Sequence, residues 1–330
     1  MARGLSLQDL SEILTENGYN ITKATLSNYE NGKYSPTPDM LTVLAQELNI
    51  SPEFLERNNN LLYDLKFFNL PQMVDRKLQN LDAFISVELN RFQYIDNILG
   101  IKTTWAPTEK KHYKDSEIES LADRFRVEYK AGGSSIASVC ALLESKGWHI
   151  FSLPDYCSYD NMSISGYDSI SGIPFILYKP DGYQDEMRLA LLKSVGYSLI
   201  EGENAEETEK LVNRFARAVL LPAENAREFY GSKRTSITEL ELSTGKRLYG
   251  IGKKYIVRRL NELSIIPDSI KREFDMHVTQ KHDLVRSSGL MDSSNFFDVP
   301  TTYEMRVARA NAEGLTNLTS TKLIFNGKDY

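Results

Sequence analysis

Residues 5–30 read LSLQDLSEILTENGYNITKATLSNYE, and their pattern predicts two short helices joined by a tight turn. Leucines in the first half recur at three- and four-residue spacing, which is typical of a helix with one apolar face. Asn17-Gly18 favours a turn, and Thr22 is suited to cap the second helix. A polar helix that follows another across a tight turn is typical of a helix-turn-helix unit.

The longer stretch LSLQDLSEIL…ITKATLSNYENGKYSP…LTVLAQELNIS resembles the XRE-type helix-turn-helix of phage repressors. In that family the second helix of the pair enters the major groove of DNA. Asparagine side chains pair with adenine, and lysine side chains contact guanine or phosphate. The resemblance therefore implies a set of residues that contact DNA, namely Lys23, Ala24, Thr25, Ser27, Asn28 and Lys33.

This first segment departs from the family in two respects. The family's first helix would stand where only Met1–Arg3 precede Gly4, so we expect that helix to be missing. Residues 1–60 also contain four basic and eight acidic side chains, a net charge of −4. Because neutralisation of phosphates supplies much of the affinity for DNA, an alternative is a helical module for dimerisation or protein contact.

The composition is that of a soluble globular protein, with 41% hydrophobic and 25% charged residues in 330. This length suggests two or three domains. No run of eighteen apolar residues and no signal-peptide core are present, so we expect a cytoplasmic protein with no membrane partner. The two cysteines, Cys140 and Cys157, do not make a disulfide framework and are expected to be free, buried thiols.

Residues 61–100 are predicted to be mostly helical, with an interruption at Pro71. Apolar residues then recur at three- and four-residue spacing, which indicates a packing face in a core or a dimer interface. Residues 102–116 have the polarity and proline of a linker. The apolar positions are Leu78, Leu81, Ile85, Leu89, Phe92, Ile95 and Leu99.

Residues 117–222 combine helical and strand patterns. Helices are predicted at 118–131, 135–148 and 207–222, and strands at 149–153, 162–168 and 173–179. A further helix contains LALLKSVGYSLI, residues 189–200, in which Gly196 permits close contact with a second helix.

Three segments of this block together resemble the ImmA/IrrE family of metallopeptidase-like domains, over about residues 118–266. They are SIASVCALLESKGWHI, IPFILYKPDGYQDEMRLALLKSVGYSLI and EKLVNRFARAVLLP. The resemblance implies a zincin-like α+β domain with a small sheet. In the family the second segment carries H-E-x-x-H, whose two histidines bind zinc from one helix face and whose glutamate is the general base.

In this chain the metal motif is altered at each of its three positions. Aligned on Arg188 and Gly196, the positions become Lys193, Ser194 and Tyr197. Lysine is cationic at neutral pH, serine cannot replace a carboxylate base, and tyrosine is a rare zinc ligand. We therefore expect no metal, no cofactor and no catalytic activity.

Glu209 matches the third ligand of the family, so one possible ligand of three remains. We expect either a Lys193–Glu209 ion pair in place of the metal or a retained pocket for a small ligand or peptide. A Ser194–Lys193 catalytic dyad is unattractive, because adjacent side chains on a helix point about 100° apart. The chain's histidines, which form no H-x-x-x-H pair, are His112, His149, His277 and His282.

Residues 233–272 contain ten basic and four acidic side chains, a net charge of +6. The segment resembles the family's S-x-x-A-x-x-x-R-L-x-x-L-G-I-I, a second helix-turn-helix-like unit, with Ile251, Ile256, Leu260 and Leu263 suited to a core. Such a basic helix fits contact with phosphates, although a solvated face that balances acidic neighbours is the alternative. The cations expected on the outside are Lys253, Lys254, Arg258 and Arg259.

The C-terminal tail resembles that of XRE–ImmA fusion proteins. YEMRVARANAEG is predicted to be a helix that ends at Gly314, and NLTSTKLIF to be a helix or a short extended piece. No chemistry attaches to either.

Together these patterns predict a mostly helical α+β chain in five parts. These are an N-terminal helix-turn-helix, a helical linker or dimerisation segment, a pseudo-peptidase domain, a basic module and a tail, at 1–58, 59–115, 116–232, 233–272 and 273–330.

The leading hypothesis is a DNA-binding repressor of a phage or mobile element, acting as a homodimer on an operator. Its inactive peptidase-like domain would sense an inducer or bind a partner such as an antirepressor. One alternative is a protein-interaction module without DNA contact, such as an antirepressor target or a toxin–antitoxin partner. Another is an active metallopeptidase, which the missing histidines oppose.

Overall fold

The computed structural model describes residues 6–48, 55, 63–102, 105, 109–153, 163–179, 184–276 and 298–315. The chain has an α+β fold that is mostly helical, which confirms the predicted fold class. None of the helices in these ranges has the length and apolar character needed to cross a membrane.

Residues 6–48, the continuous described part of the N-terminal module, contain three helices: α1 (Leu7–Glu16), α2 (Lys23–Glu30) and α3 (Pro38–Leu48). Both predicted helices of the pair are present, and the Thr22 hydroxyl accepts from the backbone N–H of Thr25 at 3.2 Å, as its N-cap role requires. The prediction of a missing first helix concerns residues 1–5, which lie outside the described residues. Residues 51–58, except for Leu55, also lie outside the described residues.

A four-stranded sheet forms the centre of the larger part of the chain. It consists of β1 (Leu65–Asn69), β3 (His149–Ser152), β4 (Ser163–Asp168) and β5 (Pro174–Tyr178), in the order β1-β4-β5-β3. Strand β4 is antiparallel to β1 and β5, whereas β3 and β5 are parallel. The three strands predicted from the sequence are confirmed. Two short strands, β2 (Lys111–His112) and β6 (Ile200–Glu201), pair separately.

Strand β1 was not predicted, and the helical interpretation of Leu65–Asn69 is wrong. This segment, LKFFN, pairs along β4, with Phe67 opposite Gly166. Aromatic residues suit a half-buried pleated surface, and Pro71 keeps the following chain out of a helix. The helix predicted in this region, α4, begins only at Asp75 and ends at Leu99.

Helix α4 covers one face of the sheet and is therefore part of a core. Its buried residues Leu81, Ile85 and Leu89 belong to one cluster with Phe175 and Leu177 of β5. The predicted packing face is confirmed as an intramolecular one. The segment 59–115, interpreted as a linker or dimerisation element, thus supplies both a strand and a covering helix. A domain boundary at residue 115 would divide one hydrophobic core, because residues on both sides of it belong to the same cluster.

In the described residues, the eight helices that follow α4 contribute to a second, larger core on the opposite face of the sheet. Alternate residues of β5, such as Ile176, also belong to that core. Helix α7 (Gln184–Leu199) packs on the sheet and against α8 (Ala205–Leu220), and a Cβ on Gly196 would lie only 3.0 Å from Val212 Cγ1. Helix α6 (Val139–Glu144) is shorter than predicted and begins after its cap, Ser138. The helices are α5 (Ile118–Glu128), α6 (Val139–Glu144), α7 (Gln184–Leu199), α8 (Ala205–Leu220), α9 (Ala223–Tyr230), α10 (Glu239–Tyr249), α11 (Lys253–Glu262), α12 (268–276) and α13 (Thr302–Ala312).

Several smaller predictions are also decided. Cys140 is a free, buried thiol, and burial raises its pKa. The helix predicted at YEMRVARANAEG is α13, and Gly314 follows it with φ of 70°. Cys157 and residues 317–325 of the tail lie outside the described ranges.

Candidate functional site

The outward side of α2 is the candidate nucleic-acid interface. Leu26 turns into the module and is 2% exposed, whereas Lys23 and Lys33 are exposed and Asn28 is half-buried. The side chains of these last three residues make no hydrogen bond or ion pair within the described part of the chain. Their donor groups are therefore available to an external partner.

The other predicted contact residues on α2 are less available. Asn31 donates through its amide to the Ser27 carbonyl oxygen at 2.7 Å and to the Ser27 hydroxyl at 3.3 Å. The hydroxyls of Thr25 and Thr22 lie 3.0 Å apart, within the cap of the helix. Ala24 is exposed but presents only a methyl group. The residues best suited to contact a ligand are thus the two lysines and Asn28.

Contacts between α1 and the chain entering α2 fix the orientation of α2. The Ser11 hydroxyl of α1 donates to the Ile21 carbonyl oxygen at 2.6 Å, and Tyr19 N–H donates to the Leu14 carbonyl oxygen at 2.8 Å. Leu14 and Leu26 join one small hydrophobic cluster. The outward side of α2 is consequently held on a packed support rather than on a single helix.

A second candidate site lies between α7 and α8. Lys193 Nζ donates to Glu209 Oε1 at 2.6 Å, which confirms the predicted ion pair. Asn213, one turn along α8, donates through its amide to the same oxygen at 2.7 Å. The lysine and glutamate side chains are 24% and 44% exposed, so solvent screens their attraction, and the pair stabilises the fold by about 0–1 kcal/mol.

Ser194 and Tyr197 do not join this pair in a common polar site. Ser194 is fully buried, and its hydroxyl donates to the Ser163 hydroxyl of β4 at 2.9 Å. It therefore faces the sheet, while the neighbouring Lys193 amine contacts α8. Tyr197 is half-buried and packs against the larger core. This geometry supports the argument against a Ser194–Lys193 dyad.

Histidines do not gather at any one point of the described structure. His112 lies 3.4 Å from Glu201 in an exposed pair, and His149 is buried elsewhere, in β3. His277 and His282 lie outside the described residues. Within the described ranges, no three or more His, Cys, Asp or Glu side chains converge as metal ligands would.

A known family model matches the part of the chain that contains the first of these sites. Residues 1–55 match the helix-turn-helix family model. The match covers α1, α2 and α3 and supports the XRE-type part of the resemblance, which suggests a DNA-binding transcriptional regulator. No curated protein matches the sequence.

In the basic second module, the largest difference from the prediction is the burial of one arginine. Arg259 was expected on the outside, but it is fully buried, so that expectation is wrong. Its guanidinium donates to both carboxylate oxygens of Glu119 at 2.5 and 2.6 Å and to the Leu221 carbonyl oxygen at 2.9 Å. A carboxylate and a carbonyl thus satisfy the buried cation, and Arg259 ties α11 to α5 and to the end of α8.

The other cations of the module are mostly paired with acids. Lys253 Nζ lies 2.5 Å from Glu239 Oε1, and Lys254 Nζ lies 2.7 Å from Glu186 Oε1. Arg258 is exposed. These pairs fit the alternative in which the basic residues balance acidic neighbours. The predicted core positions are buried at Ile251, Ile256 and Leu260 and partly buried at Leu263.

The N-terminal end of α11 is covered by α7. A Cβ on Gly252, the residue before α11, would clash with Asp185 Oδ2, and Glu186 holds Lys254 beside it. In helix-turn-helix complexes the N-terminal residues of the recognition helix contact base edges. In α11 that end instead contacts the first turn of another helix.

Two site residues were missed by the sequence analysis. Asn213 had a detectable signal, since it lies one turn after Glu209 on the same helix face. Asp298 had none. Its buried carboxylate contacts Arg188, 110 residues earlier in the chain, and nothing in the local sequence marks that contact.

Proposed function

We propose that this chain is a transcriptional repressor of the phage or mobile-element type, which binds operator DNA through α2. The supporting observation is the set of Lys23, Asn28 and Lys33, whose donors are unengaged within the described ranges and lie inside the family-matched segment. Asparagine and lysine are suited to adenine, guanine and phosphate. The remainder of the chain would then control that binding.

The first module, rather than the second, is assigned the DNA contact. Its helix α2 has an open outer side, whereas the first turn of α11 lies against Asp185 and Glu186. Three of the four cations predicted to bind DNA from α11 contact carboxylates of the chain itself. Repulsion between those carboxylates and phosphates would weaken any approach of DNA to this helix.

The region around α7 and α8 is proposed to be an ImmA/IrrE-like domain without peptidase activity. Lys193, Ser194 and Tyr197 would replace the ligands and the base, and the Lys193–Glu209 ion pair would occupy the position of the metal. Such a domain keeps a packed scaffold that can bind an inducer, an antirepressor or a second copy. A homodimer is part of the proposal, because dimers of helix-turn-helix proteins read two half-sites.

A protein-interaction module without DNA contact is the second candidate. The observation that favours it is the net charge of −4 over residues 1–60, which opposes association with a polyanion. A dimer that binds two half-sites would offset the low affinity of each acidic module for DNA, because binding of the second half-site becomes intramolecular once the first is bound. DNA binding and its salt dependence distinguish the two candidates.

The deciding experiment is selection of fragments of host genomic DNA by the purified full chain, followed by titration at several salt concentrations. A repressor should enrich a site with two related half-sites, and its affinity should fall linearly on a log–log plot against salt. Enrichment of no fragment, or binding that is indifferent to salt, would favour the protein-interaction module.

A further inference from the structure

A fully buried carboxylate, that of Asp298, lies shortly before helix α13 in the chain. Asp298 accepts from Ser138 Oγ at 2.8 Å and from the backbone N–H groups of Val139 and Cys140 at 2.7 and 3.0 Å. Arg188 Nη1 donates to the same carboxylate at 2.8 Å, and both side chains are buried. Withdrawal of Asp298 would take a carboxylate at 2.8 Å away from the buried Arg188 guanidinium, so this point of attachment is firm.

Helix α13, which follows Asp298, is attached in a different way. Of its eleven residues only Val307 and Ala310 are buried, and Met305 is 67% exposed. Neither buried residue belongs to the two hydrophobic clusters that pack around the sheet in the described ranges. Departure of α13 would therefore leave those clusters nearly intact, with loss of the contact made by Tyr303.

Besides the burial of Val307 and Ala310, several contacts that hold α13 are directional. Arg306 donates to both carboxylate oxygens of Asp96 on α4, at 2.6 and 2.7 Å. The Tyr303 ring lies 4.7 Å from the Phe92 ring, and the Arg91 guanidinium lies 5.5 Å from the centre of the Tyr303 ring. Such contacts select a particular helix sequence more than they drive general apolar association.

The N-terminal cap of α13 comes from a different helix. The side chain of its own N-cap residue, Thr301, makes no capping bond, but the Glu144 carboxylate at the end of α6 accepts from the backbone N–H groups of Thr301 and Thr302 at 3.2 and 3.1 Å. An isolated helix of eleven residues is marginal in water. Because its cap exists only in the bound position, α13 should lose helical structure when it leaves.

A buried histidine beneath these contacts is incompletely satisfied when α13 is bound. His149 Nδ1 lies 3.0 Å from the Gly147 carbonyl oxygen, whereas Nε2, close to the Pro174 backbone, makes no hydrogen bond of good geometry among the described residues. The Phe92 ring contacts both the imidazole, at 4.4 Å, and Tyr303. Exposure of this corner on release of α13 would hydrate a buried polar atom, which lowers the cost of release.

Arg91, Phe92 and Asp96 of α4 together with Glu144 of α6 form what we call the α13 groove. We propose that the α13 groove is a helix-binding site, which α13 occupies as an internal ligand. Its external partner is a protein helix with the same residue pattern as the bound face of α13. That pattern is an aromatic residue, an arginine three positions later, and small apolar residues four and seven positions after the aromatic residue. These correspond to Tyr303, Arg306, Val307 and Ala310, the spacing of a helix laid into a groove.

The partner helix competes with α13, so the groove couples binding of another protein to release of the C-terminal helix. This inference concerns a surface distant in sequence from α2 and does not depend on DNA binding. Only molecules whose α13 has left the α13 groove can bind the partner, so the apparent affinity for the partner is the intrinsic affinity multiplied by the fraction of such molecules. Weakening α13 should therefore strengthen partner binding, and this reciprocity provides the test.

The test uses the full chain and a fluorescent synthetic peptide of residues 301–313. Arg306→Ala in the chain weakens α13 but leaves the α13 groove unchanged. We expect the peptide to bind this variant at least about tenfold more tightly than the wild-type chain. A matched peptide with alanine in place of its arginine should lose that binding, and so should a chain that carries Asp96→Ala together with Arg306→Ala.

Native-state hydrogen exchange supplies a measurement that needs no variant. The amides of α13 should exchange through a local opening, about a hundredfold or more faster than those of α8. Equal protection of α13 and α8, or a folded Arg306→Ala chain that binds the peptide no better than wild type, would overturn the proposal. A second overturning result would come from mixing Asp96→Arg chains with Arg306→Asp chains. If dimers form in that mixture and in neither variant alone, the α13 groove binds the α13 helix of a second copy.

Discussion

Arg188 and Asp298 form an ion pair in which both side chains are fully buried, with 2.8 Å between Nη1 and Oδ2. Arg188 lies on the helix that carries Lys193, and Asp298 lies four residues before the first residue of α13. Further donors of Arg188 reach the carbonyl oxygens of Ile136 and Ala137. One buried contact therefore joins α7, the chain before α6 and the C-terminal segment.

Asp298→Ala should destabilise the fold by about 3–5 kcal/mol, because it removes the carboxylate that lies 2.8 Å from the buried Arg188 cation. Urea unfolding of the full chain measures the loss. The matched control is Glu313→Ala, which removes an exposed ion pair with Arg309 and should cost less than about 0.5 kcal/mol. Similar costs for the two variants would contradict the assignment of Asp298 as a structural anchor.

Gly196→Ala should also destabilise the chain, by about 1–3 kcal/mol. The added Cβ would lie 3.0 Å from Val212 Cγ1 and 3.2 Å from Phe215 Cδ1, so α7 and α8 would have to separate. Gly133→Ala is the control, since a Cβ there meets nothing within 4 Å and its φ is not positive. Thermal unfolding of both variants checks the prediction, which requires a clearly lower Tm for Gly196→Ala alone.

The sequence predicted those features whose causes are local. Thr22 caps the helix that it precedes, and Gly196 marks close contact between two helices that follow each other along the chain. Lys193 and Glu209, sixteen residues apart on the same two helices, form the expected pair. Thr22 and Gly196 were identified from the local sequence alone. The Lys193–Glu209 pair was expected from the resemblance to the ImmA/IrrE family, which aligned Lys193 with the first position of the metal motif and Glu209 with the third ligand.

Features that depend on distant partners were not predictable in this way. Strand β1 was assigned to a helix because its pairing with β4 involves residues about a hundred positions later, as in the Lys66–Tyr167 pair. Arg259 was placed outside because its partner Glu119 lies 140 residues away. A helix rich in lysine and arginine has the same local pattern whether its partners are distant carboxylates of the chain or phosphates of an external ligand.

Stability should fall on acidification through the titration of His149. Burial lowers the pKa of this imidazole from 6.5 to about 4, and the nearby Arg306 cation acts in the same direction. Between these two values the unfolded chain binds a proton that the folded chain does not, so stability is retained above pH 6.5 and declines as the pH falls toward 4. The full effect is about 3 kcal/mol.

Urea unfolding at about pH 7, 5.5 and 4.5 measures this effect as the difference between the wild-type chain and His149→Gln. The difference isolates the imidazole from the carboxylates, which titrate in both chains. The wild-type chain should lose more stability than the variant over this range. Parallel pH profiles for the two chains would show that His149 does not contribute.

If the region around α7 and α8 is an ImmA/IrrE-like domain, restoring the two histidines should restore metal binding beside Glu209. Lys193 and Tyr197 lie one turn apart on α7, and Lys193 Nζ reaches Glu209. Lys193→His with Tyr197→His places two imidazoles and a carboxylate together, the ligand set that zinc prefers. The double variant should bind one zinc ion per chain after dialysis, and adding Glu209→Ala should weaken that binding. A double variant without zinc would count against the ImmA/IrrE-like geometry.

The roles proposed for the two modules predict different effects of substitutions on DNA binding. Asn28→Ala should change sequence preference, at a cost of about 1–3 kcal/mol at one base pair, because an amide reads a base edge. Lys23→Ala should weaken all sequences alike and reduce the salt slope by about one, because a lysine that contacts phosphate carries no sequence information. Arg258→Ala is the matched control, since it removes an exposed cation from α11 and should leave both quantities unchanged. If Arg258→Ala weakens binding while Lys23→Ala does not, the second module makes the DNA contact. In that case Asp185 and Glu186 must move away from α11 before phosphates can reach this helix.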